Sequence, residues 1–244
     1  MASFFNRKDT DMTEGNIIQH LVRFSVPLLI GNIFQVLYNT VDSIVVGNFV
    51  GKEALAAVGN VSPIINTLIG FFLGLAAGAS VVISQYYGAR DDKSVHEAVH
   101  TTMLMTFILC VVFTIVCVLM VPYMLRLMST PADVFDGAAQ YLRIYFCGVT
   151  GLMIYNMGAG ILQAVGDSKR PLYFLIVSAL TNTVLDLVFV IFCGWGIAGV
   201  AIATVIAQCL SAALVLLVLT RTTAPYSMFW SHMTINTGIL RTIW

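Results

Sequence analysis

The sequence predicts an all-α membrane protein, a bundle of six transmembrane helices, and three observations carry the prediction. Of 244 residues, 59% are hydrophobic and only 10% are charged, whereas soluble domains carry about a quarter charged residues; mean hydropathy is +0.90. Six apolar runs each reach the ~20 residues that an α-helix needs to cross a bilayer. Basic residues gather in alternate connections: Arg7, Lys8 and Arg23 before the first run, Arg90 and Lys93 after the second, Lys169 and Arg170 after the fourth, Arg221 and Arg241 after the sixth. Only Lys52 and Arg126 fall on the other side, with Arg143 inside the fourth run. Six crossings put the basic connections on one side, and the positive-inside rule makes that side, with both termini, cytoplasmic. An odd number of crossings would break the agreement.

The elements follow in order. Residues 1–16, MASFFNRKDTDMTEGN, are too polar for a signal peptide and read as a cytoplasmic tail. Residues 17–220 hold the helices, with apolar runs at about 24–49, 55–86, 95–120, 134–165, 171–193 and 197–219. At 1.5 Å per residue the second and fourth runs outreach a hydrocarbon core of about 30 Å, so they tilt, kink or project. Pro27 and Pro63 permit bends near the starts of the first two helices. The connections GNFVGKEA, YGARDDKS, RLMSTPAD, VGDSKRP and CGWGIAG are short and rich in turn residues. Residues 221–244 mix Met228, Phe229, Trp230, Ile239, Leu240 and Trp244 with polar groups and are expected at the membrane surface. Gly70, Gly74 and Gly78 repeat every four residues and predict a close helix seam. A faint internal echo, NTVD at 39–42 and NTVLD at 182–186, fits a repeated unit.

Two acids stand at membrane depth. Asp186 lies inside the fifth run, with Asn182 and Ser178 one and two turns before it, so all three share one helical face. Asp42 follows Asn32, Gln35 and Asn39 at spacings of 3, 4 and 3, again one stripe. A carboxylate in a bilayer costs a few kcal/mol by insertion scales and normally faces a protein interior or a wet cavity. Desolvation favours the neutral acid and a cation favours the carboxylate, so such a group can exchange a proton for an ion or a cationic solute; two in contact titrate together. The alternative is a purely structural bond from each acid to a neighbouring Asn or Ser. Asn156, Gln163, Thr204, Gln208 and Ser211 offer further oxygens suited to a hard cation or to interhelical hydrogen bonds. Gln35, Tyr38, Asn39 and Ser178 are candidate cavity-lining residues; Tyr38 and Tyr155 also fit the role of interfacial anchors. Arg143 either snorkels or pairs with Asp136.

Several further chemistries are excluded or disfavoured. Neither the Tyr-Asp nor the Gly-x-Gly-Asp motif of intramembrane aspartyl proteases is present, nor HExxH or GxSxG, so the chain is read as no enzyme. The five cysteines are scattered singly through apolar segments and imply no disulfide framework. The four histidines lack metal spacing, no cofactor is implied, and zero net charge without a basic tract gives no reason to expect nucleic acid.

The stretches SVPLLIGNIFQVLYNTVDSIVVGNFVGKEALAAVGNVSP, GILQAVGDSKRP and TNTVLDLVFVIFCGWGIAGVAIATVIAQ, in that order, resemble the N-terminal half of a prokaryotic multidrug and toxic compound extrusion (MATE) transporter. The resemblance covers residues 14–244 and implies one six-helix lobe of a twelve-helix protein, with residues 221–244 resembling the start of the inter-lobe linker. It implies a secondary active antiporter of the bacterial inner membrane, expelling organic, often cationic, compounds in exchange for H+ or Na+. Asp42, Asn182 and Asp186 then form the ion site, with Asn156 and Thr204 around it; Na+ would sit at Asp42, Asn182 and Asp186. Where some members carry a second Asn one turn after the position of Asn156, this chain has Ala159, and both ions stay open. A lone lobe implies a truncated half-transporter whose partner is a C-terminal lobe or a second copy, since alternating access rocks one lobe against another. The alternatives are a flippase for lipid-linked precursors, which calls for a cavity lined with arginines, and an inactive structural fragment.

Overall fold

Six helices long and apolar enough to cross a membrane form in the computed structural model, which describes residues 17–229 and 236–243. They are α1 (Ile17–Val45), α2 (Lys52–Gly88), α3 (Asp92–Leu127), α4 (Ala132–Ala164), α5 (Lys169–Leu187) and α6 (Gly196–Arg221), followed by a short α7 (Thr237–Ile243). The tail 1–16, together with Trp230 and Trp244 of the last segment, lies outside the described residues. Among the described residues there is no strand, and the protein is a multi-pass membrane protein.

Local chemistry sets the helix boundaries. Asp91 caps α3: its Oδ1 accepts from Ser94 N–H at 3.1 Å and its Oδ2 from the Ser94 hydroxyl at 2.6 Å, the bonding expected of an N-cap carboxylate. Asp167 does the same for α5, accepting from the N–H groups of Lys169 and Arg170 at 3.1 and 3.2 Å. Pro131 precedes the first turn of α4. Both acid-bearing helices end in a π-helical turn, Val46–Val50 after α1 and Val188–Phe192 after α5. Each is closed by an i+5 bond, Gly51 N–H to Val46 O at 3.0 Å and Cys193 N–H to Val188 O at 3.1 Å. Gly51, at φ 122°, then turns the chain into α2 as only glycine does readily.

Helix α4 is the centre of the bundle and packs on α2, α3 and α6. Helix α5 packs on α6, and α1 on α5. Helices α1 and α2 make little contact along their lengths and are joined chiefly through the π turn between them. One buried cluster, including Met103, Leu162, Val215 and Tyr226, fills the end carrying the basic connections; a second, including Val46, Val121, Phe146 and Val200, fills the opposite end. The large apolar side chains of α1, among them Ile18, Leu29, Val36 and Ile44, are exposed, as lipid-facing positions are.

Two expectations change, and that for Arg143 narrows to its snorkelling alternative. The small-residue seam does not run through Gly70 and Gly74, where an added Cβ would meet nothing within 4 Å. It runs through Gly151 and Gly158 of α4. There a Cβ would lie 3.0 Å from the Gln208 backbone and 2.7 Å from the Val215 side chain, respectively, so α4 meets the α6 backbone at the first and an α6 side chain at the second. Arg143 makes no ion pair with Asp136 among the described residues; both are exposed on the outer face of α4. The segment after α6 is more than a surface layer: Tyr226 and Met228 are 1% exposed, Met228 N–H donates to Leu219 O at 2.8 Å, and Phe229 N–H donates to His100 Nε2 at 2.9 Å. An apolar segment beside open helix ends is better buried there than spread on the surface.

Candidate functional site

The polar stripes of α1 and α5 meet where those helices pack. Asp186 is 0% exposed, and its carboxyl faces that of Asp42 at hydrogen-bonding reach. Asn182 is 1% exposed and orients its amide to satisfy both neighbours: Nδ2 donates to Asp186 Oδ2 at 3.1 Å, and Oδ1 accepts from Thr204 N–H at 3.3 Å. The Thr204 hydroxyl donates to Val200 O at 3.0 Å, within its own helix, and stands beside the hydroxyls of Tyr38 and Tyr141. Ser178 completes the α5 face by donating to Ala207 O at 2.7 Å, which ties α5 to α6.

Two oxygens at this meeting point are conspicuous. Asp42 Oδ1 and Asp186 Oδ1 are both buried and have no hydrogen-bond partner among the described residues. Buried polar atoms are nearly always satisfied. Two bare anionic charges at this separation repel strongly in a medium of low polarity. A proton held between them, or a cation that both approach, removes both problems at once.

The remaining candidates fall at varying distance. Tyr38 is half-buried against the pair, while Gln35 and Asn39 are exposed on α1. Asn156 gives its amide N–H to Leu152 O at 2.9 Å, within α4, and no described bond ties it to the acids. Tyr155 donates to Pro171 O at 3.1 Å and joins α4 to α5 instead of facing the pair. The aromatic wall comes from two residues that sequence reasoning passed over. Tyr141 and Tyr145 stack at 6.2 Å between ring centroids, are 4% and 5% exposed, and lie beside Asp42. Their spacing of four on an apolar helix, in line with Gly148 and Asn156, is the signal that points to them.

The MatE family profile matches residues 27–188. The chain belongs to the MatE family. It is 35% identical over 201 residues to the probable multidrug resistance protein YpnP of Bacillus subtilis, covering 82% of this chain and 45% of the relative. It is 38% identical over 187 residues to the probable multidrug resistance protein YoeA of the same organism, covering 75% and 40%. A MOP superfamily transporter from Pyrococcus furiosus superposes with a TM-score of 0.90 at 28% identity, covering 97% of this chain and 52% of that one. The chain thus spans about half the length of the relatives it matches, in keeping with one lobe. MatE is a family of transporters, not of enzymes.

Proposed function

We propose that this chain is the ion-coupling lobe of a secondary active antiporter that expels organic, often cationic, compounds in exchange for H+ or Na+. The observation that carries the reading is the buried meeting of Asp42 and Asp186, each with one unsatisfied oxygen. Asn182 fixes the Asp186 carboxyl and Thr204 fixes Asn182, so the pair is held from α5 and α6 while α1 supplies the other acid. A cation between the acids draws α1 onto α5. Its loss leaves the acids to repel or to share a proton, so ion occupancy favours one position of α1 over another. Tyr38, Gln35 and Asn39, within about two turns of Asp42 on α1, are the groups that a substrate meets. Ser178 serves the α5–α6 contact, and Asn156 is a reserve oxygen from α4. The lobe pairs with a C-terminal lobe or a second copy of the chain, and it lies in a bacterial inner membrane with its basic end in the cytoplasm.

The test is ion binding by the purified chain in detergent, read as thermal unfolding. Sodium chloride is titrated at pH 8 against choline chloride, and protons are titrated in choline. The chain is expected to be stabilised by one of the two ions, and Asp186→Asn is expected to abolish the response while the variant still folds and inserts. An undiminished response in Asp186→Asn refutes the assignment.

A further inference from the structure

One helical turn from Thr204, toward the basic end, α6 carries Gln208. Its Nε2 donates to Tyr145 OH at 3.3 Å, and Tyr145 in turn lies beside Asp42. Gln208 Oε1 is buried and has no hydrogen-bond partner among the described residues. The three unsatisfied oxygens at the α1, α4, α5 and α6 meeting are therefore Asp42 Oδ1, Asp186 Oδ1 and Gln208 Oε1. Turned over, the amide would accept from Tyr145 O–H and leave its N–H group without a partner instead, so the single tyrosine can satisfy only one end of the amide. The backbone of Gln208 is packed closely on α4, since a Cβ at Gly151 would lie 3.0 Å from it, and its main-chain carbonyl accepts from Ser211 Oγ at 2.9 Å.

We infer that Gln208 Oε1, aimed by Tyr145, is a second station for the coupling cation, one turn below the acid pair toward the basic end of the lobe. The inference rests on the proposed ion site and extends it. A neutral carbonyl is a hard-cation ligand, and unlike a carboxylate it holds a cation weakly enough to pass it on. A cation or hydronium leaving the two acids thus meets an oxygen already stripped of partners. Tyr145 bonds Gln208 directly, and Asp42, Asp186, Tyr38 and Tyr141 are the titratable groups of the neighbouring acid site.

The experiment uses the purified 244-residue chain and the same sodium and proton titrations. Gln208→Met keeps the shape and removes the oxygen; it is expected to weaken the apparent affinity for the stabilising ion about fivefold, the size of one lost ligand bond. Gln208→Glu places an anion there and is expected to strengthen it about tenfold. Tyr145→Phe frees the amide and is expected to follow Gln208→Met. A residue that only packs α6 on α4 lowers the unfolding temperature in every ion alike and moves no midpoint, so the opposite shifts of Met and Glu are the signature. If Asp186→Asn abolishes the response while all three variants stay within twofold of wild type, the second station is refuted and the acid pair stands. If Asp186→Asn keeps the response, or the wild-type chain shows none, both fall.

Discussion

At the scale of single residues, the site is governed by what a buried charge requires. Asp186 has no access to solvent or lipid, so its environment is Asn182, Asp42 and whatever binds between the acids. Asp91 shows the opposite case at the surface of the basic end. Hydrogen bonds from the Ser94 hydroxyl and then from the Ser94 N–H hold its carboxyl below the usual aspartate range. A carboxyl whose folded value is depressed contributes its stability above the unfolded value, near 3.9, and loses it as pH falls through the folded one. Ser94→Ala is therefore expected to raise the Asp91 midpoint toward the ordinary value, followed by carbon-13 NMR of the carboxyl; an unmoved midpoint would show that Ser94 is not the cause. The acids and Asn182 were legible in the sequence, because an ionisable group in an apolar run is costly to insert and is seldom kept without a role. Tyr141 and Tyr145 were not, since a tyrosine in a membrane helix ordinarily reads as an interfacial anchor and only packing reveals which face it takes.

Among elements, the six runs and their order were legible from hydropathy and length, and the helices found are longer at most ends because Asp91, Pro131 and Asp167 start them in polar sequence. The seam was misplaced for a physical reason. A four-residue glycine repeat marks a helix that can approach another closely, yet it does not say which neighbour comes; Gly70 and Gly74 face open space, while the less regular Gly151 and Gly158 receive α6. Gly151→Leu must push apart the backbones of α4 and α6 and is expected to cost about 1–3 kcal/mol or more, as overpacking does. The same change at Gly74 is expected to be near neutral. Thermal unfolding of the two variants in one detergent gives the comparison, and equal loss at both positions would contradict the seam. The π turns were invisible to periodicity, since one shifted bond register leaves the hydropathy of the run unchanged. Both follow an acid within about a turn, at Asp42 and at Asp186, which gives the echoed NTVD and NTVLD segments a shared local geometry.

For the whole molecule, the arrangement of charge and cysteines makes the orientation of the lobe across the bilayer testable. Arg90, Lys93, Lys169, Arg170 and Arg221 lie at one end, where Arg170 is itself drawn into the fold by Asp167 at 3.1 Å and by the hydroxyl of the buried Tyr226 at 3.5 Å. The opposite end carries Lys52, Arg126 and the CGWGIAG connection, in which Cys193 is exposed. Cys147 and Cys209 are also exposed but lie in the middle of the apolar spans α4 and α6, and Cys110 and Cys117 are buried. A water-borne, membrane-impermeant maleimide reacts with a thiolate, which hydrocarbon surroundings suppress, so Cys193 is the natural thiol it reaches. In intact cells expressing the chain, Cys193 is expected to label from outside. Lys93→Cys in a Cys193→Ala background is expected to label only after the membrane is opened, as the positive-inside rule predicts for the basic end. The reverse pattern would invert the lobe, and with it the direction in which an ion leaving the acid pair past Gln208 is carried.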